Sequence, residues 1–440
     1  MVKNIPVTFQ DVFNAPTAEK LALLMESRLS AARDARPSGS AEKAAEEERS
    51  DYDGVLCRNT KDNLDNITAE NLGKVLVTGA TGFLGIHVVK ELLDQGYGKI
   101  YCLVRRTEVM PKKRLMEIMF YYFGEIDEEA FDSKVIAIEG DITDTGSLEV
   151  IKTLDIDTVI NCAACVKHFA DIDYLKKINV TGVENLANIC AEMRARLIQI
   201  STVSVAGDYT KDGKGPAVLT EDKLDIGQIV DSNAYVFSKY LAERVMLDAI
   251  ANKGLDGKII RVGNLMSRQI DGEFQVNFRT NSFMRILKAY VVLKCFPVDE
   301  MDMKDEFSPI DEVAKAITLL AGTDSDFTVF HAYNSHTVDM GDIIFSLRDL
   351  GFTINIVDDK TFKKRLERAL KDERINSSVS PLVSYNNNDG IETLENDVDN
   401  TFTVKALYRL GFRWKITDNE YINKSITMLD ELGFFGSALM

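Results

Sequence analysis

The sequence predicts an α/β fold, a doubly wound parallel sheet followed by a smaller, mainly helical C-terminal domain. Three observations carry this. Short β-branched runs alternate with amphipathic helical stretches from residue 73 onward, a glycine-rich turn follows the first run, and the alternation fades beyond about residue 268. In order, residues 74–78 form the first strand, 86–94 its helix and 100–104 the second strand; Leu115, Ile118 and Met119 mark one face of the next helix. Strands at 135–138 and 158–160 follow, then a helix around 183–191 and a strand at 197–201, at intervals suited to right-handed crossovers. Residues 340–440 read as mainly helical, with one strand near 353–357 and a polar loop at 386–390.

Composition narrows the class. A chain of 440 residues, 45% hydrophobic and 28% charged, buries one large core or two joined ones. Its 52 basic and 69 acidic residues leave a net charge of −17, the wrong field for a duplex-binding protein, so no nucleic-acid partner is expected. Six cysteines at 57, 102, 162, 165, 190 and 295 show no framework spacing, and no signal peptide precedes them, which points to a reducing cytoplasm. No apolar run approaches the ~20 residues that span a bilayer, so no membrane partner is expected. Near the N-terminus, Pro16 and Thr17 open a helical pattern through Leu21, Leu24, Met25 and Leu29; the polar residues after it read as a linker.

Three constellations carry chemistry. Thr78-Gly79-Ala80-Thr81-Gly82-Phe83-Leu84-Gly85 lies between a strand and a helix, where glycines let the backbone turn against a pyrophosphate and free helix-start amides face its charge. The second strand ends in Arg105-Arg106 where an NAD-preferring site usually offers a carboxylate, and two guanidiniums suit the 2′-phosphate of NADPH. Tyr235 and Lys239 stand four apart on one helical face, so that an ammonium lowers the phenol's pKa toward working pH and the phenol exchanges a proton with a carbonyl oxygen. Upstream, Ser201, Thr202 and Ser204 end a strand at the sheet's carboxyl edge, where ligands bind in such folds.

With these residues the sequence resembles an extended short-chain dehydrogenase/reductase. More narrowly, it resembles the thioester reductase branch: the terminal reductase (R) domains of nonribosomal peptide synthetases and the reductase parts of carboxylic acid and aminoadipate reductases. The matching stretches are 75–85, 103–106 with Arg114-Leu115, 139–142, 161–166, 179–182, 200–207, 235–239, 261–265 and 308–311, with 410–414 and 432–435 near the C-terminus. The resemblance implies a Rossmann fold, a Thr202, Tyr235 and Lys239 catalytic set with Ser201 and Ser204 as competitors for Thr202, and NADPH as cofactor. Around that cofactor it places Gly79, Thr81, Gly82, Phe83, Leu84 and Gly85, with Arg105, Arg106 and Arg114 at its phosphates and Asp141 and Ile142 by the adenine. Ala164, Cys165 and Val166 line it, Asn179 supports the proton relay, Lys239 holds the nicotinamide ribose, and Gly263 and Asn264 complete the set.

The activity implied is reductive release of a peptidyl or acyl thioester as an aldehyde, with possible onward reduction to an alcohol, from the phosphopantetheine arm of a carrier protein. The domains implied are a carrier-protein-like closing helix at 1–30, a linker at 31–72, an NADP-binding domain at 73–267 with substrate-domain insertions at about 208–232, and a substrate domain at 268–440 whose chain returns to the first domain at about 305–335. The carrier's phosphopantetheine-bearing serine is absent, so either the chain is an excised piece of a larger synthetase or its N-terminal tail has another role; a monomer is expected. An acyl-CoA or carboxylic acid/aldehyde reductase of the same fold, a nucleotide-sugar epimerase, and a non-catalytic NADP(H)-binding regulator are the rivals. No metal is expected at Cys162, Cys165 and His168, which coincide with the cofactor-lining loop. His87 reads as a packing or surface residue, His331 and His336 as flanking a loop without an acid or nucleophile partner, and no Gly-x-Ser-x-Gly elbow marks a hydrolase.

Overall fold

A computed structural model describes residues 54–56, 58, 61–166, 171–210, 215–386 and 393–436. The expected helix at 1–30, His168, and residues 387–390 of the polar loop lie outside these. Seven parallel strands form the central sheet: β1 (Val75–Thr78), β2 (Ile100–Val104), β3 (Val135–Glu139), β4 (Thr158–Asn161), β5 (Arg196–Thr202), β6 (Gly257–Val262) and β7 (Val329–Ala332). Their spatial order is β7-β6-β5-β4-β1-β2-β3. The order reverses between β1 and β4, so a crevice opens there at the strands' carboxyl ends. Helices cover both faces, which is why β1, β2, β4 and β6 are buried along their whole length and read as continuous apolar runs rather than as alternation.

The α/β architecture and its first five strands are as the sequence predicts, with α1 (Phe83–Asp94), α2 (Pro111–Phe123), α3 (Gly182–Met193) and α4 (Ala234–Asn252) between or after them. The seventh strand was not foreseen. Its four residues, Val329-Phe330-His331-Ala332, include a fully buried histidine, so the apolar run is too short and too interrupted to read as a strand. His331 is therefore a sheet residue, not a loop-flanking one.

Residues 308–332 return to the sheet: Ser308–Pro309 pairs with Leu265–Met266, α5 (Ile310–Ala321) packs on α1, and β7 completes the edge. The chain returns a second time, which the expected 268–440 substrate domain did not include. α6 (Thr401–Arg409) packs on β7, and Phe402, Leu407, Phe412 and Trp414 join the core beneath the sheet. Strands Thr393–Glu395 and Asp397–Val398 pair with Asp208–Thr210 and Val218–Leu219 of the 208–232 insertion. The expected linker at 31–72 is also docked over its last part. Val55, Leu56, Leu64, Ile67 and Leu72 are buried, each worth roughly 1.5–3 kcal/mol of apolar burial, and isolated anchors of this kind leave no periodic trace in a polar stretch. A second core gathers Met284, Leu287, Ile343, Leu347, Phe362, Tyr421 and Phe434 from the C-terminal helices. No helix among the described residues is long and apolar enough to cross a membrane.

Candidate active site

The glycine turn is built as its sequence requires. Gly79 has φ +64°, and a Cβ there would lie 2.6 Å from the Ala163 amide nitrogen. A Cβ on Gly85 would lie 2.2 Å from the Gly79 carbonyl oxygen, so only glycine lets the helix start lean on the turn. The Gly82 N–H donates to the Gly79 carbonyl at 2.8 Å, and Gly82 then caps α1 with extended backbone, no side-chain bond and no acidic residue in the first turn. The amides at this helix start face outward with the positive end of the helix dipole. Such a cradle, kept clear of side chains and carboxylates, fits a dinucleotide pyrophosphate. Thr81 and Gly82 line it; Leu84 is buried in the core, and the Phe83 ring stacks edge-on against Phe274 at 5.6 Å and His87 at 5.1 Å, so these two offer backbone only.

At the end of β2, Arg105 and Arg106 are exposed, and Arg106 meets Glu139 at 3.7 Å. Arg114, in the first turn of α2, is partly exposed, and neither it nor Arg105 has an ion-pair partner among the described residues. Asp141 accepts from the Thr143 N–H at 2.8 Å. Ile142 is a core residue packed under Gly182, where a Cβ would meet it at 2.6 Å.

The residues expected to transfer the proton lie at the end of β5 and on α4. Thr202 ends β5, and its hydroxyl accepts from the Ser204 N–H at 3.1 Å. Adjacent strand residues point to opposite faces, so Ser201 points away and donates to the buried Glu243 at 2.5 Å. Ser204 is exposed and accepts from the Thr202 hydroxyl at 3.1 Å. Of the three hydroxyls, Thr202 is the one both enclosed and clear of the Glu243 pair. Asn233 caps α4, accepting from the Tyr235 and Val236 amides at 3.0 and 3.3 Å, which places Tyr235 in the helix's positive first turn. Lys239, one turn on, is 3% exposed and its Nζ donates to the Ile200 carbonyl at 2.6 Å.

The electrostatics differ from expectation. Burial holds the Tyr235 hydroxyl up at about 12, with Cys165 adding to it. Burial also pulls the Lys239 ammonium down to about 8, opposed by Glu243 and Cys162. Loss of hydration sets the phenol's position, and the lowering expected from Lys239 is not seen, so the tyrosine rests as a proton donor.

Asn179 is buried and spent on positioning. Its Oδ1 accepts from the Cys165 N–H at 2.8 Å, and its Nδ2 donates to the Cys165 carbonyl at 3.0 Å and to Ser238 Oγ at 2.9 Å. Ser238 in turn donates to the Tyr235 carbonyl at 2.7 Å. The stretch expected to line the cofactor, with exposed Ala164 and Val166, is thereby tied to the helix that carries Tyr235 and Lys239. The expected relay role of Asn179 is not visible as a contact to Lys239.

Behind the site lies a network that sequence reasoning missed. Arg261 and Glu243, both fully buried, pair at 2.7 Å, and Arg261 Nη1 donates to His331 Nε2 at 2.9 Å. That fixes the neutral tautomer in which His331 Nδ1–H donates to the Asp399 carbonyl at 2.7 Å. Glu243 follows Lys239 by four residues on α4, a spacing that signals a shared helix face; nothing local signals its partners. Glu306 was missed as well: its Oε2 accepts from the Asn264 N–H at 2.6 Å and fills the space beside Gly263.

Comparisons with known proteins give the family. A family model for NAD-binding proteins, described as male sterility protein, matches residues 77–317, more than half of the chain. The chain belongs to this family. A thiolation-reductase di-domain from an archaeal nonribosomal peptide synthetase is 35% identical with a TM-score of 0.84, over 98% of this chain and 88% of that one. The reductase domain of the aureusimine biosynthetic cluster is 27% identical, TM-score 0.72, over 90% and 99%. Among curated proteins, a linear gramicidin synthase of Brevibacillus parabrevis is 25% identical over 317 residues, and an L-2-aminoadipate reductase of Candida glabrata 24% over 393. These cover 70% and 82% of this chain, which spans only 6% and 28% of their lengths. The chain is thus an extended short-chain dehydrogenase/reductase of the R-domain type, an oxidoreductase fold for a nicotinamide cofactor.

Proposed function

We propose that this chain performs the NADPH-dependent reductive release of a peptidyl or acyl thioester from a carrier protein's phosphopantetheine arm, yielding an aldehyde. The reading is supported by the Lys239 ammonium on the Ile200 carbonyl of β5, the strand that ends in Thr202, with Tyr235 one turn earlier on the same helix as Lys239. When bound, the reduced nicotinamide supplies a hydride to the thioester carbon. As the carbonyl oxygen gathers charge, the Tyr235 and Thr202 hydroxyls donate to it, and the protonated resting phenol suits that role. The ammonium of Lys239, anchored on the Ile200 carbonyl, stabilises the tyrosinate left behind. The resulting hemithioacetal breaks its C–S bond, the sulfur leaves as thiol, and the aldehyde is released. A thiolate leaves more readily than an alkoxide, so a thioester needs no further activation.

NADPH rather than NADH is supported by Arg105, Arg106 and Arg114, of which only Arg106 has an ion-pair partner among the described residues, Glu139 at 3.7 Å. A carrier-protein partner is supported by the likeness to a thiolation-reductase di-domain over nearly the whole chain. The test is to follow nicotinamide absorbance with an acyl group presented on a carrier protein and, separately, on coenzyme A. Carrier-dependent oxidation of NADPH with aldehyde formed is the expected result. Equal or faster reduction of the coenzyme A ester makes the chain an acyl-CoA reductase instead, and no reduction of either overturns the reading.

A further inference from the structure

We propose that the carboxylate of Glu306 is a further group of the active site, one whose negative charge favours the oxidised, positively charged nicotinamide over the reduced one. This rests on the reading above only in placing the nicotinamide end of the cofactor at the Thr202, Tyr235 and Lys239 edge. Thr202 pairs in register with Val262 on the neighbouring strand, and parallel strands lie about 4.8 Å apart. Gly263 follows directly, and a Cβ on it would stand 2.2 Å from Glu306 Oε2. The carboxylate therefore occupies the volume that a side chain at 263 would take, one strand over from Thr202.

It is held there firmly. Oε2 accepts from the Asn264 N–H at 2.6 Å, Oε1 accepts from the Ser308 hydroxyl, and Ser308 Oγ accepts from the Asn334 N–H at 2.9 Å. The titratable groups that face it are Asp305, Tyr333 and Tyr421, and none is a cation. Glu306 has no ion-pair partner among the described residues. Loss of water around it pushes its carboxyl up to about 7, and Asp305, itself raised to about 6 with Glu395 beside it, adds to the push. A carboxylate left without a counter-charge at a ligand-binding edge gains most from a ligand that brings one. Hydride donation turns the neutral dihydronicotinamide into a pyridinium, so the same charge favours the forward reaction.

The experiment measures dissociation constants of NADP+ and NADPH, without any thioester, from pH 6 to 8 for the wild type and Glu306→Gln. The amide keeps an acceptor for the Asn264 N–H and removes the charge, while its NH2 takes the place of the oxygen that accepts from Ser308 and donates to that hydroxyl instead. In the wild type, NADP+ affinity is expected to rise relative to NADPH affinity as pH passes through about 7, because the bound cation favours the ionised carboxylate. In Glu306→Gln that rise is expected to vanish, with NADP+ binding about tenfold weaker at pH 8 and NADPH binding within about twofold, the scale of one charge acting across a partly dry site. Both cofactors carry the same phosphates, so the ratio cancels their titration. Glu306→Asp keeps the charge and should keep the ratio. Equal weakening of both cofactors by Glu306→Gln marks a merely structural tie and overturns the proposal. If the Gln variant does not fold, a wild-type ratio flat across pH 7 overturns it alone. A chain that shows the ratio change yet reduces no thioester refutes the proposed function and leaves this inference standing.

Discussion

Glu243→Gln tests how the buried network supports catalysis. Arg261 Nε lies 3.1 Å from both Glu243 oxygens and Nη2 2.7 Å from one, at zero exposure for both side chains. Without that charge the guanidinium keeps the Lys223 carbonyl at 2.9 Å and His331 Nε2 at 2.9 Å, neither of which neutralises it. Removing one partner of a buried pair costs about 3–5 kcal/mol, whereas replacing both by apolar groups costs far less. Urea unfolding followed by the single tryptophan, Trp414, which is packed in the sheet core, reads this directly. Glu243→Gln should lose about 3–5 kcal/mol, and the double variant Glu243→Leu with Arg261→Met should recover much of it. Catalysis has its own signature. Glu243 holds up the pKa of Lys239, which sits near 8, so the alkaline fall in kcat/KM should begin near pH 8 in the wild type and at lower pH in the variant, as the ammonium is lost sooner. A single variant within 1 kcal/mol of the wild type, or an unmoved alkaline limb, refutes the reasoning.

Two further outcomes are expected. Neutralising Arg105 and Arg106 together should raise the Michaelis constant for NADPH roughly 10- to 100-fold, the scale of charge-assisted bonds to a phosphate, while leaving that for NADH nearly unchanged; steady-state kinetics with both cofactors decide it. His87 is buried, its Nδ1 bonded to the Phe83 carbonyl at 2.7 Å, and burial drops its pKa to about 3. The unfolded chain then takes up a proton below about pH 6.5 that the folded one refuses, so stability falls with acid, by about 2 kcal/mol from pH 7 to 5. His87→Phe should lack this component, and unfolding at the two pH values measures the difference.

Much of the fold was legible because parallel strands covered on both faces show as short apolar runs, and because the turn at Gly79 and Gly85 tolerates no side chain. The site's outline was legible where chemistry dictates spacing, as with Tyr235 and Lys239 on consecutive turns of α4. What escaped is non-local. β7 hides behind its buried histidine, which Arg261 and the Asp399 carbonyl, 70 and 68 residues away, explain. Glu306 looks like any acid until Gly263 is seen to make room for it. The choice among Ser201, Thr202 and Ser204 needed the strand's facing, which a one-residue shift in register would have reversed. The phenol's raised pKa reflects burial, and local spacing reports the neighbouring lysine but not the depth of water.

The most direct measurement replaces Tyr235 by phenylalanine and compares NADPH binding with single-turnover reduction of a carrier-bound thioester. The account predicts a dissociation constant for NADPH within about twofold of wild type and a reduction rate lower by about 10²- to 10⁴-fold, the usual contribution of a positioned proton donor. Reduction at the wild-type rate by the phenylalanine variant would contradict it.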